Sequence, residues 1–128
     1  WDTSALTAGS SVTLTARAYD AANNAATSTG VTVKIAGAAD TTPPTVAVTS
    51  PANGATVSGT VSLSASGSDN VKLSSVSLYF DGRLVCSAAA NPSCSVNTRY
   101  IRRGNHTVSA KAKDAAGNQS STSITVKR

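Results

Sequence analysis

Acid–base chemistry in this chain would have to run through one side chain, His106, the only imidazole among 128 residues. A hydrolytic site needs such a base beside a nucleophile, or two carboxylates of unlike pKa. His106 is flanked by Arg102, Arg103 and Gly104, and no motif singles out one of the many serines as its partner. It also shares the parity of Val108 at the start of an alternating run, which reads as a strand-end histidine. No Ser-His-Asp site is expected, and the chain reads as non-catalytic. Zinc has no ligand set either, because one histidine and two cysteines that pair with each other leave nothing to complete a tetrahedron.

Those cysteines, Cys86 and Cys94, bracket SAAANPS. An Asn-Pro turn in so short a segment brings the two backbones within bonding distance, so one local disulfide is expected. On the chain-entropy model it contributes only ~2 to 3 kcal/mol, pinning a loop more than holding a fold. A disulfide implies an oxidising compartment, hence a secreted or cell-surface protein. No apolar run is long enough to span a membrane.

Anion binding is the other chemistry on offer. Arg99, Arg102 and Arg103 cluster with Tyr100, and Lys111 projects from the strand that follows. Arginine forks suit planar sulfate, uronate or phosphate groups. Residues 45–128 carry nine basic side chains against Asp69, Asp81 and Asp114, a net +6, whereas residues 1–44 are at −1. An acidic polysaccharide or cell envelope is the partner this patch would take, and a soluble cationic surface is the plain alternative. Nucleic acid is not expected, because aromatics interleaved with the basic residues are too few.

The elements that must carry these residues are strands. HTVSAKAKD places Val108, Ala110 and Ala112 on one face and Lys111 and Lys113 on the other. The same alternation assigns Val46 and Val48, then Val61, Leu63 and Ala65, then Val76, Leu78 and Phe80, then Ile124 and Val126 to an inner face. Pro51-Ala52-Asn53-Gly54, Asp69-Asn70, Asp81-Gly82, Asn91-Pro92, Arg103-Gly104 and Ala116-Gly117-Asn118 punctuate them as turns. Seven or so short strands imply an all-β, antiparallel two-sheet sandwich of immunoglobulin type, and the pattern alone fits a fibronectin-like sandwich as well. In such a sandwich the entering linker and two loops meet at one pole, gathering Asp40, Asp69, Asn70, Asp114 and Asn118. Oxygen ligands in loops at a joint suit calcium, for which Asp69, Asp114 and Asn118 are the candidates; no other cofactor is expected. Asp and Asn are equally the residues of turns that bond their own backbone.

The chain also repeats itself. Leu14, Ala16, Ala18, Asp20 and Asn24 answer Val108, Ala110, Ala112, Asp114 and Asn118. Residues 1–35 thus read as the C-terminal half of one module, with about three strands in Ser11–Tyr19 and Thr29–Ile35. Residues 36–44, ending in Pro43-Pro44, read as a semi-rigid linker, and 45–128 as a complete module. A half-module exposes an apolar face and strand edges, so it is expected to dock on its neighbour, to self-associate with another copy, or to need upstream residues of a longer exported protein.

TPPTVAVTSPANGATVSGTVSLSASGSDNVKLSSVSLYFDG followed by NTRYIRRGNHTVSAKAKDAAGN resembles the bacterial Ig-like modules found in tandem in secreted proteases, glycoside hydrolases and adhesins. The likeness covers 42–128 and, as a half copy, 1–35. It departs from the pattern where Val96-Asn97-Thr98 stands in place of Trp1-Asp2-Thr3. The resemblance implies an accessory spacer or adhesion module of a multidomain exported protein, with upstream domains of the same polypeptide as its partners. The ending SITVKR is similar to the C-termini of subtilisin-like peptidases that carry such modules. The alternative it implies is a targeting module that binds acidic polysaccharide or cell envelope.

Overall fold

The computed structural model describes residues 1–37 and 39–128, which divide into two compact units, Trp1–Ala39 and Asp40–Arg128.

In the second unit, alternating residues become two antiparallel sheets because each strand has one apolar face to bury. Strands β5 (Thr45–Ser50), β6 (Thr60–Ser68) and β9 (Ser93–Asn97) form one sheet in the order β5-β6-β9. Strands β7 (Leu73–Phe80), β8 (Arg83–Ala88), β10 (Asn105–Asp114) and β11 (Gln119–Lys127) form the other in the order β11-β10-β7-β8. The sheets pack face to face as a sandwich. Leu63, Val76, Leu78, Val108, Ala110 and Val126 are fully buried between them, joined by Ala65, Phe80 and Ala112. Val46, Val48, Val61 and Ile124 line the margin of the same core, so every inward position read from the alternation lies inward. Asp81 and Gly82 turn β7 into β8 with φ of 46° and 77°, the left-handed pair that matches strand twist in a two-residue hairpin.

Packing leaves little room at one crossing. A Cβ on Gly67 would sit 2.6 Å from Val76 Cγ2 and 3.3 Å from the Thr45 carbonyl oxygen, so this glycine lets β6 approach both neighbours.

Cys86 and Cys94 form the expected disulfide. Cys86 lies on β8 and Cys94 on β9, with Cα atoms 6.4 Å apart. The bond is local in sequence yet ties an edge of one sheet to an edge of the other, because Ala89–Pro92 carries the chain between sheets.

The first unit holds four short strands rather than three. Strand β1 (Ser11–Leu14) pairs with β4 (Val31–Lys34), and β2 (Arg17–Tyr19) pairs with β3 (Ala25–Thr27). The continuous alternation of Ser11–Tyr19 is interrupted because Ser28 Oγ accepts the Ala16 N–H and the Ser28 N–H bonds the Ala16 carbonyl. The result is one bent hairpin. Val12 opposes Val33 and Leu14 opposes Val31, so these four share a face. Trp1, Tyr19 and Val31 are 73%, 61% and 62% exposed, and among the described residues of this unit Ile35 is the buried hydrophobic one.

Candidate functional site

One pole of the sandwich gathers carboxylates. Asp40 precedes β5, Asp69 follows β6, and Asp114 ends β10, and antiparallel pairing brings these strand ends together. One oxygen from each of the three lies within 4.8 Å of the others. Asp69 Oδ2 accepts the N–H groups of Val71 and Lys72 at 3.0 and 2.8 Å, forming the β6–β7 turn. Its other oxygen, Oδ1, is buried and has no hydrogen-bond partner. Asp114 is 1% exposed. Its Oδ1 accepts the Gly117 and Asn118 N–H groups, and its Oδ2 accepts Asn118 Nδ2 at 2.7 Å. Burial pushes this carboxyl upward, but the Asn118 side chain and the turn amides outweigh it, leaving Asp114 below the usual carboxylate range.

Asn118, expected among oxygen ligands, donates from its side-chain nitrogen in this structure. Its Nδ2 also donates to the carbonyls of Asp40 at 3.0 Å and Thr42 at 3.5 Å, so it clasps the chain entering the sandwich. Asn70 reaches Asp40 Oδ1 at 3.5 Å. The sequence pattern pointed to this pole, while the backbone clasp across 78 residues left no local signal.

The opposite pole carries the arginines. Arg99, Tyr100, Arg102 and Arg103 are exposed in the β9–β10 loop, Tyr100 at 91%. Arg128, which the sequence reading did not select, donates from Nη1 to the Ile101 carbonyl and from Nη2 to the Arg99 carbonyl, fixing the loop's shape. Lys111 does not join this cluster. It lies well along β10, paired between Ser77 and Ser121, roughly 20 Å from Asn105 at the usual strand rise. Its ammonium sits 5.3 Å from the Tyr79 ring centroid.

His106 resolves the catalytic question. Nδ1 is 2.7 Å from Asp81 Oδ2, the carboxylate–imidazole pairing that a triad would use. Nε2, the atom that would serve a nucleophile, is instead 2.8 Å from the Arg102 carbonyl. With acceptors on both nitrogens the ring favours its protonated form. The Asp81 carboxylate and then the Arg102 carbonyl raise the His106 pKa, against a smaller effect of burial. The ring stacks on Phe80, centroids 5.5 Å apart. It is a clasp between the β7–β8 turn and the β9–β10 loop, not a base.

Beside this clasp, a groove of about 540 Å³ opens between the sheet edges, with Arg83, Leu84, Val85, Val96 and Ile101 among its lining residues.

The two hairpins are built alike. Asp20 Oδ1 accepts the Ala22 and Asn24 N–H groups while Asn24 Nδ2 donates to Asp20 Oδ2 at 2.8 Å, as Asn118 does to Asp114. Upstream, Asp2 Oδ1 accepts the Ser4 N–H and Asn97 Oδ1 accepts the Arg99 N–H. Gly9 N–H bonds the Ile35 carbonyl, as Gly104 N–H bonds that of Arg128.

A family model described as a bacterial Ig domain matches residues 44–110. The structure is similar to an endo-β-1,4-mannanase from Thermotoga petrophila, at TM-score 0.57 and 18% identity over 69% of this chain. It is also similar to the fibronectin(III)-like modules of CbhA from Clostridium thermocellum, at TM-score 0.52 and 22% identity over 94% of this chain. The chain spans 20% of the mannanase chain and 63% of the CbhA chain. No curated protein matches the sequence.

Proposed function

Because the chain belongs to the bacterial Ig domain family, we propose that it works as an accessory spacer in an exported multidomain protein, holding an upstream catalytic domain away from a surface or from its neighbours. The observation that carries this reading is His106, whose two nitrogens are both spent on a structural clasp inside a closed, well-packed sandwich. A module with a packed apolar core whose one histidine is held at both nitrogens acts by shape and spacing. Similarity to a part of a mannanase supports a glycoside hydrolase as parent; a subtilisin-like protease is the other parent considered. The Cys86–Cys94 bond supports secretion or cell-surface display. The hydrogen bonds shared by the two hairpins support reading residues 1–35 as the closing hairpin of a preceding module of the same kind, one that self-association would also cover.

A second reading rests on Arg99, Arg102 and Arg103, exposed together in one loop. Such a loop favours targeting to acidic polysaccharide or cell envelope. Retention of the whole chain on insoluble polysaccharides and bacterial envelopes at low and moderate salt separates the two. A spacer passes through. Saturable retention that weakens with salt and is abolished by the Arg99/Arg102/Arg103→Ala triple substitution establishes targeting instead.

A further inference from the structure

We propose that the groove between the edges of β8 and β9 docks an extended, acidic peptide segment of a partner polypeptide, which lies along the β8 edge and seats an aromatic side chain against Val96, Leu84 and Ile101. This is a binding role that the spacer reading neither uses nor requires. At about 540 Å³ the groove falls within the roughly 300 to 1,000 Å³ of sites that take ligand groups.

The internal repeat identifies the side chain that this position otherwise carries. Three hydrogen bonds set the two copies in register. Leu6 N–H bonds the Thr3 carbonyl as Ile101 N–H bonds that of Thr98; Asp2 Oδ1 accepts the Ser4 N–H as Asn97 Oδ1 accepts that of Arg99; Gly9 N–H bonds the Ile35 carbonyl as Gly104 N–H bonds that of Arg128. Val96 therefore stands where the first copy has Trp1, and Ile101 where it has Leu6. Both Val96 and Ile101 line the groove, with Phe80 and Leu84 beside them. An indole has given way to an isopropyl group, and neither tyrosine of the second unit replaces it: Tyr79 lies beside the Lys111 ammonium and Tyr100 is 91% exposed. What is left is an apolar concavity that an aromatic ring from another chain fills.

Backbone and charge decide the rest of the ligand. Strand β8 ends one sheet and β9 ends the other, and among the described residues the backbone hydrogen bonds of Arg83–Ala88 are those to β7. The outer edge of β8 is thus a row of open amides and carbonyls, the template on which an extended peptide adds. Charge or proline usually blunts such an edge, yet Leu84 is 61% exposed on it. The Cys86–Cys94 bond pins β8 to β9 at one end, so the open length is Arg83–Val85 facing Val96 and Asn97. Arg83 lines the groove, and Arg99, Arg102 and Arg103 are exposed in the loop that carries Ile101. Asp81, the carboxylate among the lining residues, is already engaged, Oδ2 by His106 and Oδ1 by the Thr107 N–H. Arginines around an apolar slot select carboxylates on either side of an aromatic residue.

The test is titration of the whole, nitrogen-15-labelled chain with the acetylated and amidated peptide Asp-Glu-Val-Trp-Val-Glu, followed by amide NMR and hydrogen exchange. Saturable shifts are expected at Leu84, Val85, Val96 and Ile101, with slower exchange of the β8 amides as the peptide covers that edge. Alanine in place of the peptide's tryptophan, and Asn and Gln in place of its acids, should each weaken binding by about tenfold or more. Val96→Trp restores the indole of the first copy and should abolish binding, and Arg83→Glu, an exposed change, should weaken it by about tenfold or more. Unchanged β10 and β11 amide shifts verify the fold of each variant. Absence of saturable shifts at millimolar peptide in the unmodified chain overturns the proposal, whatever the variants do. Binding that the alanine peptide matches, or that survives both Val96→Trp and Arg83→Glu, overturns it as well. Shifts at the same amides that grow with protein concentration alone, together with Trp1, would assign the groove to a second copy, and shifts produced by polygalacturonate and not by the peptide would assign it to a glycan; either overturns the peptide. None of these results bears on the spacer reading, whose test is retention on a matrix.

Discussion

Breaking the Cys86–Cys94 bond should cost the second unit far more than trimming a surface loop would. The cysteines are eight residues apart, so the chain-entropy relation gives about 2.5 kcal/mol for the loss of that closed loop from the unfolded ensemble. For a unit of this size each kcal/mol moves the melting temperature by about 4 to 8 °C, so reduction should lower it by roughly 10 to 20 °C. The bond also joins β8 to β9, the edges of different sheets. Its loss should therefore loosen one margin of the sandwich while the β7–β10 centre stays closed. The assay is a thermal melt with and without a phosphine reductant, which breaks the cross-link and keeps both sulfurs in place. Hydrogen exchange under the same conditions should show faster exchange in β8 and β9 and little change in β10. A melting shift under about 4 °C would refute the reasoning, as would exchange that accelerates evenly across both sheets.

The His106 clasp predicts a pH dependence of known sign. The folded-state pKa of His106 is raised, so its contribution is fully present below its ordinary value of 6.5 and fades as pH rises through the raised value. For Asp81, burial raises the carboxyl, but the His106 and Thr107 hydrogen bonds outweigh it. Its folded pKa therefore lies below 3.8, and its contribution is lost as pH falls through that region. Thermal melts across pH should show the clasp strongest between those limits, and His106→Gln should flatten the alkaline limb; a parallel pH profile in the variant would contradict it. Gly67→Ala forces a methyl against Val76 and the Thr45 carbonyl and should cost about 1 to 3 kcal/mol by urea denaturation, as overpacking does. Asn118→Ala removes the clasp on the entering chain, so it should lower the melting temperature, raise the Asp114 carboxyl toward its ordinary range by carbon-13 NMR, and speed exchange at Thr42.

Period-two alternation carried the inner face of the second unit, because burial on one side of a sheet writes itself into every other residue. Val108, Ala110 and Ala112 were legible for that reason, as were the Asp81-Gly82 and Asp114–Asn118 turns, whose residue types are set by local backbone geometry. Contacts that depend on which distant segments meet were not legible. Asp81 and His106 are 25 residues apart, and nothing in either neighbourhood marks the pair. The grip of Arg128 on the Arg99 and Ile101 carbonyls and of Asn118 on Asp40 joins side chains to backbone, which leaves no compositional trace. Strand parity placed Lys111 on an outer face but could not say how far along the strand it stands from the arginine loop. In the first unit, one hydroxyl, Ser28 Oγ, cuts a run that alternation alone reads as continuous. Asp69 and Asp114 stand near each other at the pole, and the nitrogen of Asn118 faces carbonyls, an orientation that only the fold decides.

The sharpest division in the molecule is between a sandwich that covers its own core and a hairpin that leaves Leu14 and Val31 exposed. Amide hydrogen exchange on the intact chain tests it most directly. The hydrogen-bonded amides of β10 and β11, around Val108, Ala110 and Val126, should exchange only on global unfolding, while those of β1 and β4, around Val12, Leu14, Val31 and Val33, should exchange orders of magnitude faster. Equal, high protection in both hairpins would contradict the division and show that residues 1–35 form a covered structure of their own.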